Sequence, residues 1–428
     1  MAYTDILDSE RFCFGFADQS NLTTKSGTAI ASYTYLDATF PDISEDGEVD
    51  DEKRSVKGRG TVSKVSVGRV RYPWSFKCEM PGQLTTYNPT SGAPSLVGAW
   101  QLVAEALGAN ATGAYLASGV AAASTAKLIN WASTTPKIGC AYAVGTGLTD
   151  GLVKAIGWLK SLAVQAGTLF QDMRAAPSTG DNIYQTITMF PGTTNPTPKT
   201  FGLFGEHSYQ SIKGIGAMPS KITFSFDKGD KLWGQFDYIC YGGQAEDADG
   251  GTIVSPQLTK VLEPAKGSGA ARIMVASNRI TSYFDGTADP DGTCGLRNVQ
   301  LTLDFPHYAN ECVGKAERVD AVKVRSPKCS LSFWAPRVTD LQDPTYTPQD
   351  IWHAALDRQH QVSFSYEMGD TIGQLFGMLI TGGLIRTRPT PALQDGAWGW
   401  NVVLDAGDYQ LDGASTDAGN SGIRFMIG

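Results

Sequence analysis

The chain is predicted to be mainly β, made of β-sandwich or barrel-like modules each flanked by a helix, and three observations predict it. Apolar and polar residues alternate with period two in segments spread along the whole length, the pattern of strands with one buried face. The 48 glycines, together with many Thr, Ser and Asn, favour turn-rich β structure over helical bundles. Finally, Lys221 to Gly242 recurs without a gap as Gln361 to Gly382, at an offset of 140 and with six of 22 positions identical. Phe224/Phe364, Gly229/Gly369 and Phe236/Phe376 are among the identical pairs. Such a repeat predicts two tandem copies of one domain, 1–265 and 266–428, in a chain of 428 residues that exceeds one ordinary core.

Taken in order, residues 1 to about 55 lack clear periodicity and hold an acidic run from Glu45 to Glu52, which reads as a solvated arm or loop. From Thr61 to Met80 the pattern is β: Val70, Tyr72, Trp74, Phe76 and Cys78 share one phase, Val65 and Val67 the other. The flip at Gly68 predicts a bulge. Pro94 opens a predicted helix with apolar Leu96, Val97, Trp100, Val103, Ala104 and Leu107. Residues 109–205 match nothing in the second half and read as an insertion, including a predicted helix from Leu152 to Leu169. The first repeated stretch is a predicted hairpin, with Ile222, Phe224 and Phe226 on its apolar face and a turn at Gly229. In the second half, Val299 to Phe305 and Cys329 to Phe333 alternate as strands, and Thr347-Pro348-Gln349-Asp350 is a helix start with a Thr cap. The second hairpin follows, and Trp398 to Leu404 is expected to close the sheet.

The formal charge is -8, with 35 Lys and Arg against 43 Asp and Glu, the wrong balance for a protein that grips nucleic acid by its phosphates. The first residues carry Asp5, Asp8, Glu10 and Arg11 where an export signal needs an apolar core, and the Ala-rich stretch from Ala104 to Val144 is too often interrupted to span a bilayer. The expectation is a protein made in the cytoplasm with no membrane association. Seven widely spaced cysteines without a C-x-x-C read as free thiols, with Cys78, Cys240 and Cys329 buried on strand faces. His207, His307, His353 and His360 form no metal-binding spacing, Asp289-Pro290-Asp291-Gly292 lacks the acids of a calcium loop, and neither Gly145-Thr146-Gly147 nor Gly214-Ile215-Gly216 continues as a nucleotide fingerprint. No catalytic residue, cofactor or metal is expected.

The segment Gly214-Ile215-Gly216-Ala217 leading into Lys221 to Phe226, with Gly229 and Gln235-Phe236-Asp237-Tyr238 beyond it, resembles the major tail tube proteins of long-tailed, non-contractile bacteriophages. The stretch Ala93-Pro94-Ser95-Leu96 resembles what those proteins place before this hairpin; the likeness covers about half the chain. The resemblance implies a structural virion protein, assembled in the host cytoplasm, whose subunits form stacked rings around a channel for DNA. Six modules usually line each ring, so a chain with two implies a trimer. It also implies contacts with tape measure, tail terminator and baseplate proteins, and double-stranded DNA passing without specific binding. Baseplate and secretion-tube rings share the fold and are the nearest alternatives; a carbohydrate-binding or cell-surface β protein and a β-rich enzyme are alternatives of other classes. On the tube reading, the polar hairpin faces line the channel: Thr223, Ser225, Asp227, Gln235 and Asp237 in one copy, and Ser363, Ser365 and Glu367 in the other. The carboxylates of Asp227, Asp237 and Glu367 would repel the DNA backbone weakly, and Lys221 is expected beside an acid.

Overall fold

A computed structural model describes residues 12–22, 24–25, 32–52, 64–82, 96, 98–112, 118–132, 136–146, 152–170, 173, 175–184, 186–192, 194–205, 211–226, 232–247, 272–277, 284–285, 297–311, 319–324, 327–336, 352–353, 356, 362–369, 371–406 and 421–428. In chain order the elements begin with β1 (Phe12–Asp18), β2 (Thr34–Tyr35), β3 (Asp42–Ile43), β4 (Asp46–Glu52), β5 (Lys64–Glu79) and the helix α1 (Ala99–Leu107). Next come β6 (Gly108–Thr112), β7 (Leu128–Asn130), β8 (Ala141–Thr146), β9 (Leu152–Ala163), β10 (Ala166–Leu169), β11 (Asn182–Tyr184), β12 (Ile187–Pro191) and β13 (Lys199–Gly205). The long pair β14 (Ser211–Phe226) and β15 (Trp233–Asp247) precedes β16 (Arg272–Ser277), β17 (Phe284–Asp285), β18 (Arg297–Asp304), β19 (His307–Glu311), β20 (Val319–Val324) and β21 (Lys328–Pro336). The last are β22 (Val362–Met368), β23 (Phe376–Leu384), β24 (Thr390–Gln394), β25 (Ala397–Ala406) and β26 (Ile423–Ile427). The protein is mainly β, as its alternation predicts.

These strands stack in three layers. The first sheet runs β3-β5-β15-β14-β18-β21-β25-β24, antiparallel throughout. The second runs β17-β16-β22-β23-β26-β12-β6 and meets the first at one corner, where Gly383 pairs with Ala406. Between them lies the main core, and the alternation of each strand decides which residues enter it: Trp74 and Phe76, Ile222 and Phe224, Leu301 and Leu303 from the first sheet, and Phe364, Met378, Phe425 and Ile427 from the second. Each such side chain contributes about 1.5–3 kcal/mol through burial. Helix α1 closes one end of this sandwich, and its Trp100 stacks between Phe224 and Phe376, at 6.3 and 5.7 Å.

The third layer, ordered β11-β8-β9-β10-β7, packs on the back of the second sheet. Ala141, Ala143, Ile156 and Trp158 meet Leu375, Leu379 and Met426, while Tyr142, Val144, Ala155 and Leu159 turn the other way into a separate cluster. This corrects the helix expected from Leu152 to Leu169, which is the hairpin β9 and β10. A strand buried on both faces loses its alternation, and the apolar residues left at 153, 156, 159 and 162 mimic a helical stripe. The segment 109–205 is likewise not all insertion, since β6 and β12 belong to the second sheet and β13 flanks β14.

From Phe12 on, the described residues of the N-terminal segment are not a solvated arm either. Strand β1 pairs with β13 and β2, sending Phe14 and Phe16 into the main core and Cys13 and Ala17 into a smaller one with Tyr33 and Phe204. Burial on both faces again hides the strand from a periodicity search. The acidic run forms β4 against β5, where Gly47 opposes Val70 and Val49 opposes Val67. One residue, Glu48, therefore stands opposite two, placing the expected bulge at Gly68 and Arg69. Helix α1 begins at Ala99, after Gly98 at φ 52, rather than at Pro94, which lies outside the described residues. It ends at Gly108, φ 86, where a Cβ would stand 2.4 Å from the Thr194 carbonyl oxygen, so only glycine fits. The helix start expected at Thr347 also lies outside the described residues; Trp352, just beyond it, is helical and buried.

Both repeated stretches form hairpins, but not in one register. Phe224 opposes Gly234, whereas its counterpart Phe364 opposes Ile380, which aligns with Cys240. The second hairpin is thus slid by six residues, an even number, which keeps every side chain on its own face. Their neighbours differ in order as well: β18 and β5 flank the first hairpin, β16 and β26 the second. Strand pairing and the main core both run across residue 265, through β14 with β18 and β12 with β26.

Candidate functional site

The back of the second sheet is covered by the third layer, and the front of the first sheet carries a ladder of polar side chains. Because the core takes Ile222, Phe236, Leu303 and Leu331, the alternate positions must face out. Register then aligns them in rows across the strands. One row reads Asp42, Ser75, Asp237, Lys221, Asp304 and Lys328; the next reads Lys77, Gln235, Thr223, Thr302, Ser330 and Asp405. Lys77, Lys221, Asp304 and Lys328 are exposed, and Asp237 and Asp405 half-buried.

Lys221 therefore stands between Asp237 and Asp304, beside acids as expected. Directly opposed residues lie about 4.5–5.5 Å apart, close enough for opposite charges to stabilise the pair by about 0.2–1 kcal/mol. Asp237 is also held from its own side: Ser75 Oγ donates to Oδ1 at 2.6 Å, Gln235 Nε2 donates to the same oxygen at 3.3 Å, and Ser220 Oγ donates to the Asp237 carbonyl at 3.0 Å. Three lysines are interspersed with four aspartates over the two rows, so the face is a mosaic of both signs with one acid in excess rather than a row of acids alone. Its potential cancels over one or two strand spacings, within a screening length of about 8 Å at physiological salt.

The remaining residues expected on this face are divided. Thr223, Ser225 and Gln235 are on it by register, Thr223 only 7% exposed; Asp227 lies outside the described residues. Glu367 is elsewhere. It opposes Gly377, whose missing Cβ would point at Trp158 of the third layer, 3.2 Å away, and Glu367 is only 6% exposed. Ser365 shares that face and is buried too. A polar alternation next to an apolar one reads as solvent-facing, and nothing local in Ser363 to Glu367 announces that a third layer covers it. Conversely, Asp304, Lys328 and Asp405 join the open face through pairings between distant segments; their outward phase beside Leu303, Cys329 and Leu404 was the signal available.

Other chemistry is sparse. Lys199 is buried and ion-paired with both Asp18 and Glu105, its ammonium over the Phe16 ring at 5.4 Å. Burial raises the Glu105 carboxyl above its ordinary value while Lys199 pulls it back. Glu105 also lines an open cleft of about 360 Å³ with Gln101, Thr194, Asn195 and Thr197, and among the described residues no cysteine, serine or histidine lines it. Cys13, Cys78, Cys140, Cys240 and Cys329 are buried and in no disulfide, and burial pushes Cys13 up to about 12 and Cys78 well above its ordinary value. Thiols so protonated are poor nucleophiles. Among the described residues no three His, Cys, Asp or Glu could hold a metal, and no helix is long and apolar enough to cross a membrane.

No family model and no curated protein matches the chain.

Proposed function

We propose that the protein is a structural tube subunit, most simply a phage tail tube protein, whose first sheet lines a channel for DNA. One observation supports this above the others: a sheet of eight strands with a polar face of mixed charge and no excess of cations on one side, backed by two further layers on the other. A DNA conduit requires such a wall. Net positive charge would release counterions and hold the duplex, whereas alternating charge leaves little to bind.

Strand spacing sets the ring size. Eight strands about 4.8 Å apart span about 38 Å, so three copies would close a circle about 37 Å across between backbones, wider if the strands tilt. Two copies would give only about 24 Å, too narrow for a duplex once side chains fill it, and six about 73 Å, too wide to guide one. Three copies is also what the resemblance implies, so the arithmetic and the resemblance agree.

The test is self-assembly of the purified chain, followed by sedimentation and negative-stain imaging. Hollow rings or tubes with threefold averages are expected. A chain that stays monomeric at high concentration would remove this reading and favour a cell-surface or carbohydrate-binding protein.

A further inference from the structure

The row that supplies the core from β25 runs past the end of that core. Leu404 and Val402 are each 1% exposed and Trp400 is partly covered, but Trp398, next in the same phase, is 61% exposed. Its cross-strand partner on β24, Leu393, is 62% exposed. The two strands are joined by Asp395 and Gly396, both at positive φ (49 and 79), the geometry of a tight two-residue hairpin turn, and Asp395 is ion-paired with Arg297. The tip is therefore a fixed projection with a large apolar pair uncovered on its inner side. Isolated exposed apolar residues are ordinary, but a Trp and a Leu directly opposed on one ribbon form a patch.

The opposite edge of the same sheet has the complementary chemistry. Phe40, just before β3, is 60% exposed and packs edge-on against Phe12 at 5.3 Å. Beside it, Asp42 on β3 and Glu45 just after β3 are exposed acids. The β24 edge instead presents the exposed Arg388, with Arg386, which is paired with Asp405 at 3.7 Å, in the segment that leads into it. Among the described residues β24 pairs with β25 alone, so its outer backbone is an open sheet edge.

We propose that the β24–β25 tip, through Leu393 and Trp398, docks on the acidic edge around Phe40, Asp42 and Glu45 of a second copy of this chain. The contact joins two different surfaces, so it repeats head to tail and closes a ring when the rotation permits. It rests on the tube reading and extends it by assigning the surface that joins neighbours.

The experiment compares the full chain with Leu393→Ser/Trp398→Ser by sedimentation and imaging, alongside thermal melts. The variant should melt like the parent, because both side chains are exposed, yet its subunit dissociation constant should rise roughly thirtyfold or more, as expected for two central interface anchors. A second arm uses Arg388→Glu, expected to weaken assembly, combined with Asp42→Lys/Glu45→Lys, expected to restore it. If parent and hairpin variant assemble alike, this contact is wrong and the tube reading stands. If the charge reversals weaken assembly without restoring each other, the acidic edge is not the counter-surface. A parent chain that never assembles overturns both.

Discussion

Replacing Trp100 by alanine is expected to cost about 3–5 kcal/mol of stability, a large part of the roughly 5–15 kcal/mol that holds a folded protein together. The indole is 2% exposed and stacks on Phe224 of the first sheet and Phe376 of the second, at interplanar angles of 20 and 21°. Its Nε1 donates to the Pro81 carbonyl at 2.7 Å. Truncation therefore opens a cavity between two sheets that also join the two halves of the chain, and it removes the bond that ties α1 to the end of β5. Denaturant unfolding measures the loss. Trp100→Phe should recover more than half of it, since the stacking survives and only the hydrogen bond and part of the volume go. A cost below about 1 kcal/mol for the alanine variant would mean that the helix does not close the sandwich.

Asp237→Lys combined with Asp304→Lys is expected to leave tubes of normal appearance and to cut DNA delivery at least about tenfold at low salt. Register places Asp237, Lys221, Asp304 and Lys328 side by side, so the change makes four adjacent lysines in every copy. Each phosphate neutralised steepens the salt dependence of DNA binding by about 0.9 in log–log slope, and around a ring of three copies the duplex would be held rather than guided. High salt should restore delivery in part. Asp237→Asn with Asp304→Asn adds half as much positive charge and should retard DNA less, while sharing the loss of the Ser75 bond to the carboxylate, worth about 1 kcal/mol. Unchanged delivery and unchanged DNA retention in well-formed lysine tubes would take the channel away from this face.

Strands with one wet face were legible in the sequence and strands with none were not. Ile222 to Phe226, Val299 to Phe305 and Cys329 to Phe333 alternate because one neighbour is the core and the other is solvent, and each is a strand with that apolar row buried. The bulge at Gly68 was legible for the same reason, since a phase flip is a local event. Strands β1 and β9 were missed because both of their faces are covered, so the period-two signal is absent at its source. Glu367 was misplaced by the converse error. Its strand does alternate, but the third layer, drawn from residues more than 180 positions earlier, lies over the polar row. The open face itself was half legible: its outward residues were evident strand by strand, and the order that sets Lys221 between Asp237 and Asp304 is a property of long-range pairing that no local pattern carries.

The central claim is that the first sheet faces the axis of a tube, and a reconstruction of assembled particles tests it most directly. The account predicts three copies per ring, a lumen of about 37 Å or somewhat more between backbones, Lys221 and Asp304 on its wall, and the layer formed by β7 to β11 outermost. A ring with that third layer against the axis, or with the first sheet turned to the outside, would contradict it.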